Sequence, residues 1–264
     1  MTLVMTENRD ALLATLRGDR GRRPWRDETL AGGLRAEIED RVYELMGGAL
    51  RDAPVVVSAS TLRSTSDGGE IGDATLARAR GVLVSTVFRL LVAQVHVDDA
   101  FADALSAWRA QRPGDALLAQ VDGLDAEQTA RLRSDVTAHA TTLAAGIGPV
   151  PSGWAPRTAQ RARVRLCGGA LQLNDLVDLV VGSTRSERAS VALVDVTTSP
   201  LAQGSERAMR FHALVQTLRS SVVPLRTSIF SSATGEVWTN DVDSELLHRG
   251  VDDLMDVVTR LVVP

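Results

Sequence analysis

The chain contains no lysine. All 29 of its basic side chains are arginines, in a sequence of 264 residues. Such a bias commonly reflects a GC-rich genome, but it also has a chemical consequence. A reaction step that needs a lysine amine, as nucleophile, base or charged donor, cannot be carried out by this chain. Arginine side chains are left to supply positive charge wherever the protein needs it.

Cysteine, aromatic residues and long apolar runs are also scarce. The single cysteine, Cys167, excludes an internal disulfide and a cysteine-based zinc site. Aromatic residues make up 3% of the chain, which argues against a stacking platform for single strands. No apolar run approaches the ~20 residues that a membrane span needs, and the N-terminus lacks the basic-then-apolar order of a secretory signal. We therefore expect a cytoplasmic protein with no membrane partner.

The sequence nevertheless has enough apolar residues for a large folded unit. Hydrophobic residues make up 44% of it and charged residues 23%, which suits one large domain with elaborations. The net charge of −4 excludes a generally basic coat for nucleic acid, so any such binding needs a local patch. The densest arginine cluster is RGDRGRRPWR at 17–26, and it predicts a flexible, arginine-rich segment over 1–26.

Helical periodicity begins directly after this segment. The pattern predicts a helix over 27–46, with apolar positions at Leu34, Ile38, Val42 and Leu45. The run VVVSAS at 55–60 predicts a short strand, and STSDGGEIGD at 64–73 predicts a loop.

Helices also dominate the stretch from 74 to 147. A long, mostly apolar helix is expected over about 74–95, and a later one begins at a capping-box pair, Asp125 and Gln128. The segment GPVPSGWAP at 148–156 then breaks the pattern. We expect a mainly helical region over 27–152 and an α/β region over 153–264, joined in one compact unit.

The C-terminal region reads as strands followed by a helix. Three runs rich in valine and leucine predict buried strands, at 161–170, 176–182 and 190–198. A helix is expected at about 204–220, a strand pair at 223–232 and 236–241, and an amphipathic helix at the end of the chain.

Two of these strands carry a motif. The run LVDLVVG places Asp178 on the second strand, and VALVDVTT places Asp195 near the end of the third, one residue before Val196 and two before Thr197. With the order helix, three strands, helix, strand, this pattern resembles the PD-(D/E)XK nuclease superfamily, and within it the RecB-like exonuclease branch. The resemblance implies an α/β fold with a restriction-endonuclease-like core, a helical N-terminal region and a helical insertion.

The resemblance also implies a metal site. In such nucleases two carboxylates and a backbone carbonyl hold Mg²⁺ or Mn²⁺, which activates a water and neutralises the scissile phosphate. The corresponding ligands here are Asp178, Asp195 and the carbonyl of Val196. Asp175, three residues before Asp178, is the competing acid on the second strand if the register differs, and the choice between them stays open at this point.

Three positions depart from the family pattern. Thr197 stands where the family has its catalytic lysine, and the chain has no lysine to replace it. Losing one preorganised electrostatic group typically costs roughly 2.7–4 kcal/mol, or about 100- to 1,000-fold in rate. In the first helix, Gly81 is followed four residues later by Ser85 rather than histidine, and residues 81–95 contain no acid. The sequence therefore favours a pseudoenzyme, with a catalytically impaired or inactive site, that binds DNA or acts within a DNA-processing or defence complex.

Nucleic-acid contacts are expected from arginines of the first strand and from the later helix. Alternation places Arg161, Arg163 and Arg165 on one side of the strand, as a row that faces phosphates. An equally simple interpretation is an edge strand protected by charge. His212, in RFHALVQTLR, occupies a position where the family commonly has tyrosine, and it completes the expected contact set.

Two other functions remain open from the sequence. One is an active metal-dependent DNA nuclease with a rearranged site, in which a water, Gln203 or an arginine replaces the lysine. The other is a scaffold that binds a protein partner without nucleic acid, suggested by the acidic net charge and the helical insertion at about 98–147. Metal-dependent cleavage would favour the first of these, and absence of nucleic-acid binding at low salt would favour the second.

Overall fold

The computed structural model describes residues 26–47, 53–64, 74–148, 150–183 and 190–262. Within these ranges the protein is a mixed α/β fold, with eight α-helices around one six-stranded mixed sheet. The helices are α1 (Glu28–Leu45), α2 (Ala59–Ser64), α3 (Ala74–Val92), α4 (Ala100–Gln111), α5 (Ala116–Asp122), α6 (Ala126–Ile147), α7 (Gln203–Ser220) and α8 (Ser244–Val262). The strands are β1 (Val55–Ser58), β2 (Arg157–Leu166), β3 (Leu171–Ser183), β4 (Ser190–Thr197), β5 (Arg226–Ser231) and β6 (Val237–Asp241).

Strand β3 is the organising element of the sheet. Antiparallel β2 pairs with it from Leu171 to Val180 and so occupies one of its edges. Two strands share the opposite edge: parallel β1 pairs with the first part of β3, up to Asn174, and antiparallel β4 pairs with the last part, from Leu179 onward. Strands β5 and β6 extend the sheet beyond β4, in parallel and antiparallel pairing respectively.

A gap separates β1 from β4 along this edge. The C-terminal ends of β1 and β4 approach the gap from opposite directions, and in the described chain residues 175–178 of β3 have no ladder partner there. On the β2 side, Ala159 lies opposite Asp178 with a φ of 50°, in the left-handed region that non-glycine residues rarely adopt. The sheet is therefore locally irregular at the two candidate acids of β3.

Two apolar cores lie on either side of the sheet. One is formed by α3, α4, α5 and α6 over β4 and β5, with Phe88, Trp108 and Phe230 among its largest side chains. The other joins α1, α2, α7 and α8 to β1 and to the first half of β3. Helices thus cover both faces, which explains the apolar runs of the central strands β3 and β4.

Most local expectations are confirmed. Helix α1 spans the predicted range, and Leu34, Ile38 and Val42 are fully buried. The capping box of Asp125 and Gln128 begins α6. The expectation for 1–26 lies outside the described residues except at Arg26, and so does most of the loop expected at 64–73. The assignment to a restriction-endonuclease-like core stays a prediction.

Two local expectations are wrong. The strand expected at 161–170 ends at Leu166, where a 3₁₀ turn at Cys167–Gly169 begins. The run at 55–60 was expected to be a strand throughout, but β1 ends at Ser58 and α2 begins at Ala59. Ser58 and Thr61 explain the change, since each backbone N–H hydrogen-bonds to the other residue's hydroxyl, at 3.3 and 3.4 Å. That exchange starts a helix, as capping residues do.

The boundary expected near residue 152 is not a boundary of the sheet, because β1 from the helical region pairs with β3. Within the ranges that the structure describes, no helix is long and apolar enough to cross a membrane.

The packing of α6 on β5 can be tested at Gly146. An alanine Cβ there would overlap the ring of Phe230, a fully buried side chain. We expect Gly146→Ala to lower the free energy of unfolding by roughly 1–3 kcal/mol, despite the better helix propensity of alanine. The control is Gly33→Ala in α1, where the new Cβ meets no atom within 4 Å and a gain of about 0.5–1 kcal/mol is expected. Equal effects of the two substitutions in urea unfolding would contradict this packing.

Candidate functional site: an arginine-lined cleft

A cleft of about 1110 Å³ opens at the gap between β1 and β4. Its floor is formed by β3 and by the end of β4, and α2 and β2 line it from opposite edges of β3. One wall is the face of α3 that carries Gly81 and Ser85, with the end of α4 beside it. The cleft therefore lies where the irregular part of the sheet is uncovered.

Arginines dominate the charge of this cleft. Seven arginines and three aspartates line it, a formal excess of four positive charges in a chain whose net charge is −4. The aspartates are Asp175, Asp178 and Asp195. The arginines are Arg63, Arg78, Arg89, Arg112, Arg161, Arg163 and Arg219.

The cleft arginines form two layers. Five are exposed at the rim: Arg78, Arg112, Arg161, Arg163 and Arg219. The other two, Arg63 and Arg89, are partly buried and lie deeper.

Asp178 is held on the α3 side of the sheet. Its Oδ2 accepts a hydrogen bond from the backbone N–H of Val196 at 2.9 Å, in place of the missing ladder bond, and its Oδ1 accepts from the Ser85 hydroxyl at 3.4 Å. Burial raises the pKa of Asp178 above its ordinary value of 3.8, although the Val196 N–H and the Arg63 charge act in the opposite direction. The protein thus satisfies this carboxylate while making its charge costly.

Asp195 and Asp175 are held on the α7 side. Arg63 forms an ion pair with Asp195 through a hydrogen bond to Oδ2. The ring of His212 lies between the two acids, with Nδ1 at 2.8 Å from Asp175 Oδ1 and Nε2 at 3.7 Å from Asp195 Oδ2. All three of Asp175, Asp195 and His212 are almost completely buried. Asp175, His212, Asp195 and Arg63 thus form one continuous series of polar contacts at the base of the cleft.

Arg63 is the residue that the sequence did not indicate. The Ser58–Thr61 exchange fixes the start of α2 at the end of β1, and the buried side chain of Leu62 anchors the helix in the core shared with α7. Arg63 then reaches Asp195 across a separation of 132 residues. Burial lowers the pKa of Arg63, and the charges of Asp178 and Asp175 raise it. The guanidinium stays charged at any physiological pH.

A second arginine, Arg89, is fixed on the α3 wall. Its NH1 donates to Gln111 Oε1 at 2.9 Å, its NH2 to the Thr86 hydroxyl at 2.6 Å, and its Nε to the Ser85 carbonyl at 3.3 Å. Burial lowers the pKa of Arg89, with the nearby charge of Arg112 acting in the same direction. A guanidinium held by three protein acceptors contributes charge to the cleft from a fixed position.

The structure brings together some of the residues named from the sequence. Asp178, Asp195, Val196 and Ser85 all line the cleft, as do Arg161 and Arg163 of the exposed arginine row. Of the two acids on β3, Asp178 is the one joined to β4, through the Val196 N–H, whereas Asp175 is turned toward α7.

Other named residues lie elsewhere. The Thr197 hydroxyl accepts from the Ser199 N–H at 3.2 Å, within the turn after β4. Arg165 is exposed on β2 but is not part of the cleft lining, and neither is Gln203 at the start of α7. His212 is 2% exposed, so its side chain supports the two acids from below rather than facing a ligand in the cleft.

The carboxylates do not form a ready metal site. One oxygen of Asp195 is occupied by Arg63, and both oxygens of Asp178 accept hydrogen bonds from protein donors. Across the described ranges, no group of three or more histidine, cysteine, aspartate or glutamate side chains is placed to hold a metal ion. The carboxylates therefore fit the Arg63 guanidinium better than a bound divalent cation.

Comparison with known proteins adds little to this picture. No family model matches the chain, and no curated protein matches it. A crystal structure of SSO0001 is similar over 88% of this chain and 86% of that chain, at 9% sequence identity and a TM-score of 0.30. Similarity at that level carries no argument about fold or function.

The raised pKa of Asp178 predicts a pH-dependent stability. The folded chain holds the Asp178 proton more tightly than the unfolded chain, so this group's contribution to stability is present below about pH 3.8 and is lost as the pH rises through the folded-state pKa. Asp178→Asn removes the titration but keeps an oxygen acceptor. We therefore expect the stability of the variant relative to wild type to increase between pH 4 and pH 7, measured by urea unfolding.

The control for this measurement is Asp40→Asn, at an exposed position of α1, where a change within about 0.5 kcal/mol is expected at both pH values. A stability difference between Asp178→Asn and wild type that is constant with pH, or that shrinks as the pH rises, would contradict the burial cost assigned to Asp178.

Proposed function

We propose that the chain binds nucleic acid in the arginine-lined cleft and does so as a nuclease-like protein without metal-dependent cleavage. The observation that carries the proposal is the charge of the cleft, with its excess of four arginines over aspartates in a net acidic chain. A concave basic site with low-dielectric walls concentrates the field and attracts polyanions.

The identity of the cleft arginines supports a phosphate ligand. The five rim arginines come from α3, β2, α7 and the end of α4, so their charges surround the opening rather than form one line. Guanidinium groups bind phosphate oxygens in bidentate geometry. With aromatic residues at 3% of the chain, binding is expected to be directed to the backbone and only weakly dependent on sequence.

The position of the acids supports a nuclease-like origin for the cleft. Asp178 and Asp195 come from adjacent antiparallel strands at the point where these strands separate, and Ser85 of the preceding long helix contacts Asp178. The resemblance to the PD-(D/E)XK superfamily implies acids on two neighbouring strands close to the preceding long helix, and these contacts support that part of the proposal. The DNA-processing or defence role, and a protein partner, belong to the same proposal.

The state of the acids argues against catalysis. A metal-dependent nuclease needs free carboxylate oxygens and a positive group near the attacking water. Here one carboxylate oxygen of Asp195 is paired with Arg63, and the Thr197 hydroxyl accepts a hydrogen bond within a turn. The proposed activity is therefore binding, with the acids in a structural role.

Removing rim arginines should weaken binding and its salt dependence together. For the double variant Arg161→Gln/Arg163→Gln we expect weaker binding of a DNA duplex, about equally for unrelated sequences. If both arginines contact phosphates, the slope of log K against log salt should become less steep by about 1.8, since each contact contributes about 0.9. Fluorescence anisotropy over a salt series measures both quantities.

The matched control is Arg260→Gln, an exposed arginine of α8 outside the cleft lining. It should leave the affinity and the slope unchanged. Equal effects of the control and the double variant would show general electrostatic binding rather than binding in the cleft. No binding by wild type at low salt would overturn the proposal and favour a scaffold that binds only protein.

Cleavage is tested separately with Mn²⁺ and linear double- or single-stranded DNA. We expect wild type to cleave no faster than Asp195→Ala, because the carboxylate is already neutralised by Arg63. Thr197→Lys alone should not restore activity, for the same reason. Cleavage by wild type that Asp195→Ala abolishes would contradict the non-catalytic assignment and favour an active nuclease with a rearranged site.

A further inference from the structure

The aspartates of the cleft have a counter-ion within the protein itself. Three aspartates line one cleft, and two of them are almost completely buried. Buried carboxylates of like charge repel one another and are costly to desolvate, so such a cluster needs a cation. In metal-dependent sites this cation is the divalent metal. In this chain, Arg63 stands beside the cluster.

Arg63 hydrogen-bonds to one acid of the cluster, Asp195, and the other two acids lie within the range of its charge. These two acids are Asp178 and Asp175. His212 completes the arrangement from below, with one ring nitrogen on Asp175 and the other facing Asp195. One permanent charge, placed by α2, thus serves acids from two strands of the sheet.

We propose that the Arg63 guanidinium occupies the position of a divalent cation as the built-in counter-ion of Asp178 and Asp195, so that it excludes metal from the cleft. The site then keeps its shape without metal, and the rim arginines bind their ligand independently of Mg²⁺ or Mn²⁺. Only this last consequence rests on the proposed function; the exclusion of metal rests on the geometry alone.

Arg63 decides whether a guanidinium or a metal ion neutralises the aspartates of the cleft. Replacing it with methionine keeps an unbranched apolar side chain but removes the charge. The Asp178 and Asp195 carboxylates, which both line the cleft, would then lack this counter-ion, and a hard divalent ion with oxygen preference is the expected replacement. Removal of one arginine should therefore create a metal site that the natural protein lacks.

The test is a titration with Mn²⁺ alone, without nucleic acid. The electron paramagnetic resonance signal of the free ion measures how much is bound. We expect wild type to bind Mn²⁺ only weakly and Arg63→Met to bind about one ion per chain, at least roughly 100-fold more tightly. Adding Asp195→Asn to Arg63→Met should abolish the gain. Arg63→Lys, which retains the charge, should bind as weakly as wild type.

The matched control is Arg78→Met, which removes one positive charge from the cleft rim without touching the aspartates. It should not create a site. Three outcomes would overturn the proposal: tight Mn²⁺ binding by wild type that is lost in Asp195→Asn, no gain of Mn²⁺ binding in Arg63→Met, or equal gains in Arg63→Met and Arg78→Met. The first requires no variant of Arg63 to fold.

If Arg63→Met is too unstable for binding measurements, thermal unfolding gives the same information. A ligand that binds only the folded state raises the melting temperature, so saturating Mn²⁺ should raise that of Arg63→Met by about 5 °C or more, and that of wild type much less. An unchanged melting temperature of the variant would overturn the proposal. Loss of nucleic-acid binding would overturn the proposed function but leave this result intact.

Discussion

The break in the β3 edge is the constraint around which the site is built. Two strands approach β3 from opposite directions on one edge, and residues 175–178 are left between their ends. Backbone groups at such a gap need partners other than a ladder. The Asp178 carboxylate provides one by accepting from the Val196 N–H, and this bond ties the end of β4 to β3. The gap thereby brings carboxylates of both strands to one cleft.

Grouping these acids requires a positive charge beside them, and this requirement explains the short elements β1 and α2. β1 has four residues and α2 six, and they contribute Val55, Val57 and Leu62 to the core. Their effect is positional, because they carry the chain from the sheet edge to the point where Arg63 meets Asp195. A buried charge pair of this kind is weak support for stability but strongly penalises loss of one partner. The short segment therefore controls the state of the whole cluster.

The two layers of arginine then have different roles. Arg63 and Arg89 are fixed by protein acceptors and set the charge of the interior. The rim arginines are exposed, and their charge is not cancelled by the aspartates below, because Arg63 already neutralises part of that negative charge. A basic cleft in an acidic chain is therefore a consequence of how the inner acids are compensated. The chain contains no lysine, and the positive charge beside Asp195 comes from Arg63.

The sequence predicted what depends on local patterns. Helix α1 follows from its apolar spacing, α6 from its capping box, and β3 and β4 from their runs of valine and leucine, with Asp178 and Asp195 on the expected strands. It did not predict α2, whose first two residues were expected in a strand and whose last residue was expected in a loop, nor the contact of Arg63 with an acid 132 residues away. The Ser58–Thr61 spacing was the available local signal for α2.

Contacts across the fold carry no such signal. The burial of His212 is decided by the packing of α7 over the sheet, which no local spacing encodes. For the same reason, the exposed arginine row on β2 was visible from alternation, but the division between Arg163 in the cleft and Arg165 outside it was not.

The central claim is that nucleic acid occupies this cleft without metal. Its most direct test is a titration of the chain with a short DNA duplex in EDTA at low salt, followed through the arginine Nε–Hε signals in ¹H–¹⁵N NMR spectra. We expect the signals of the rim arginines to shift and to return as salt is raised, while those of Arg41, Arg249 and Arg260 stay in place. Shifts of all arginines alike, or no shift without added Mg²⁺, would contradict this claim.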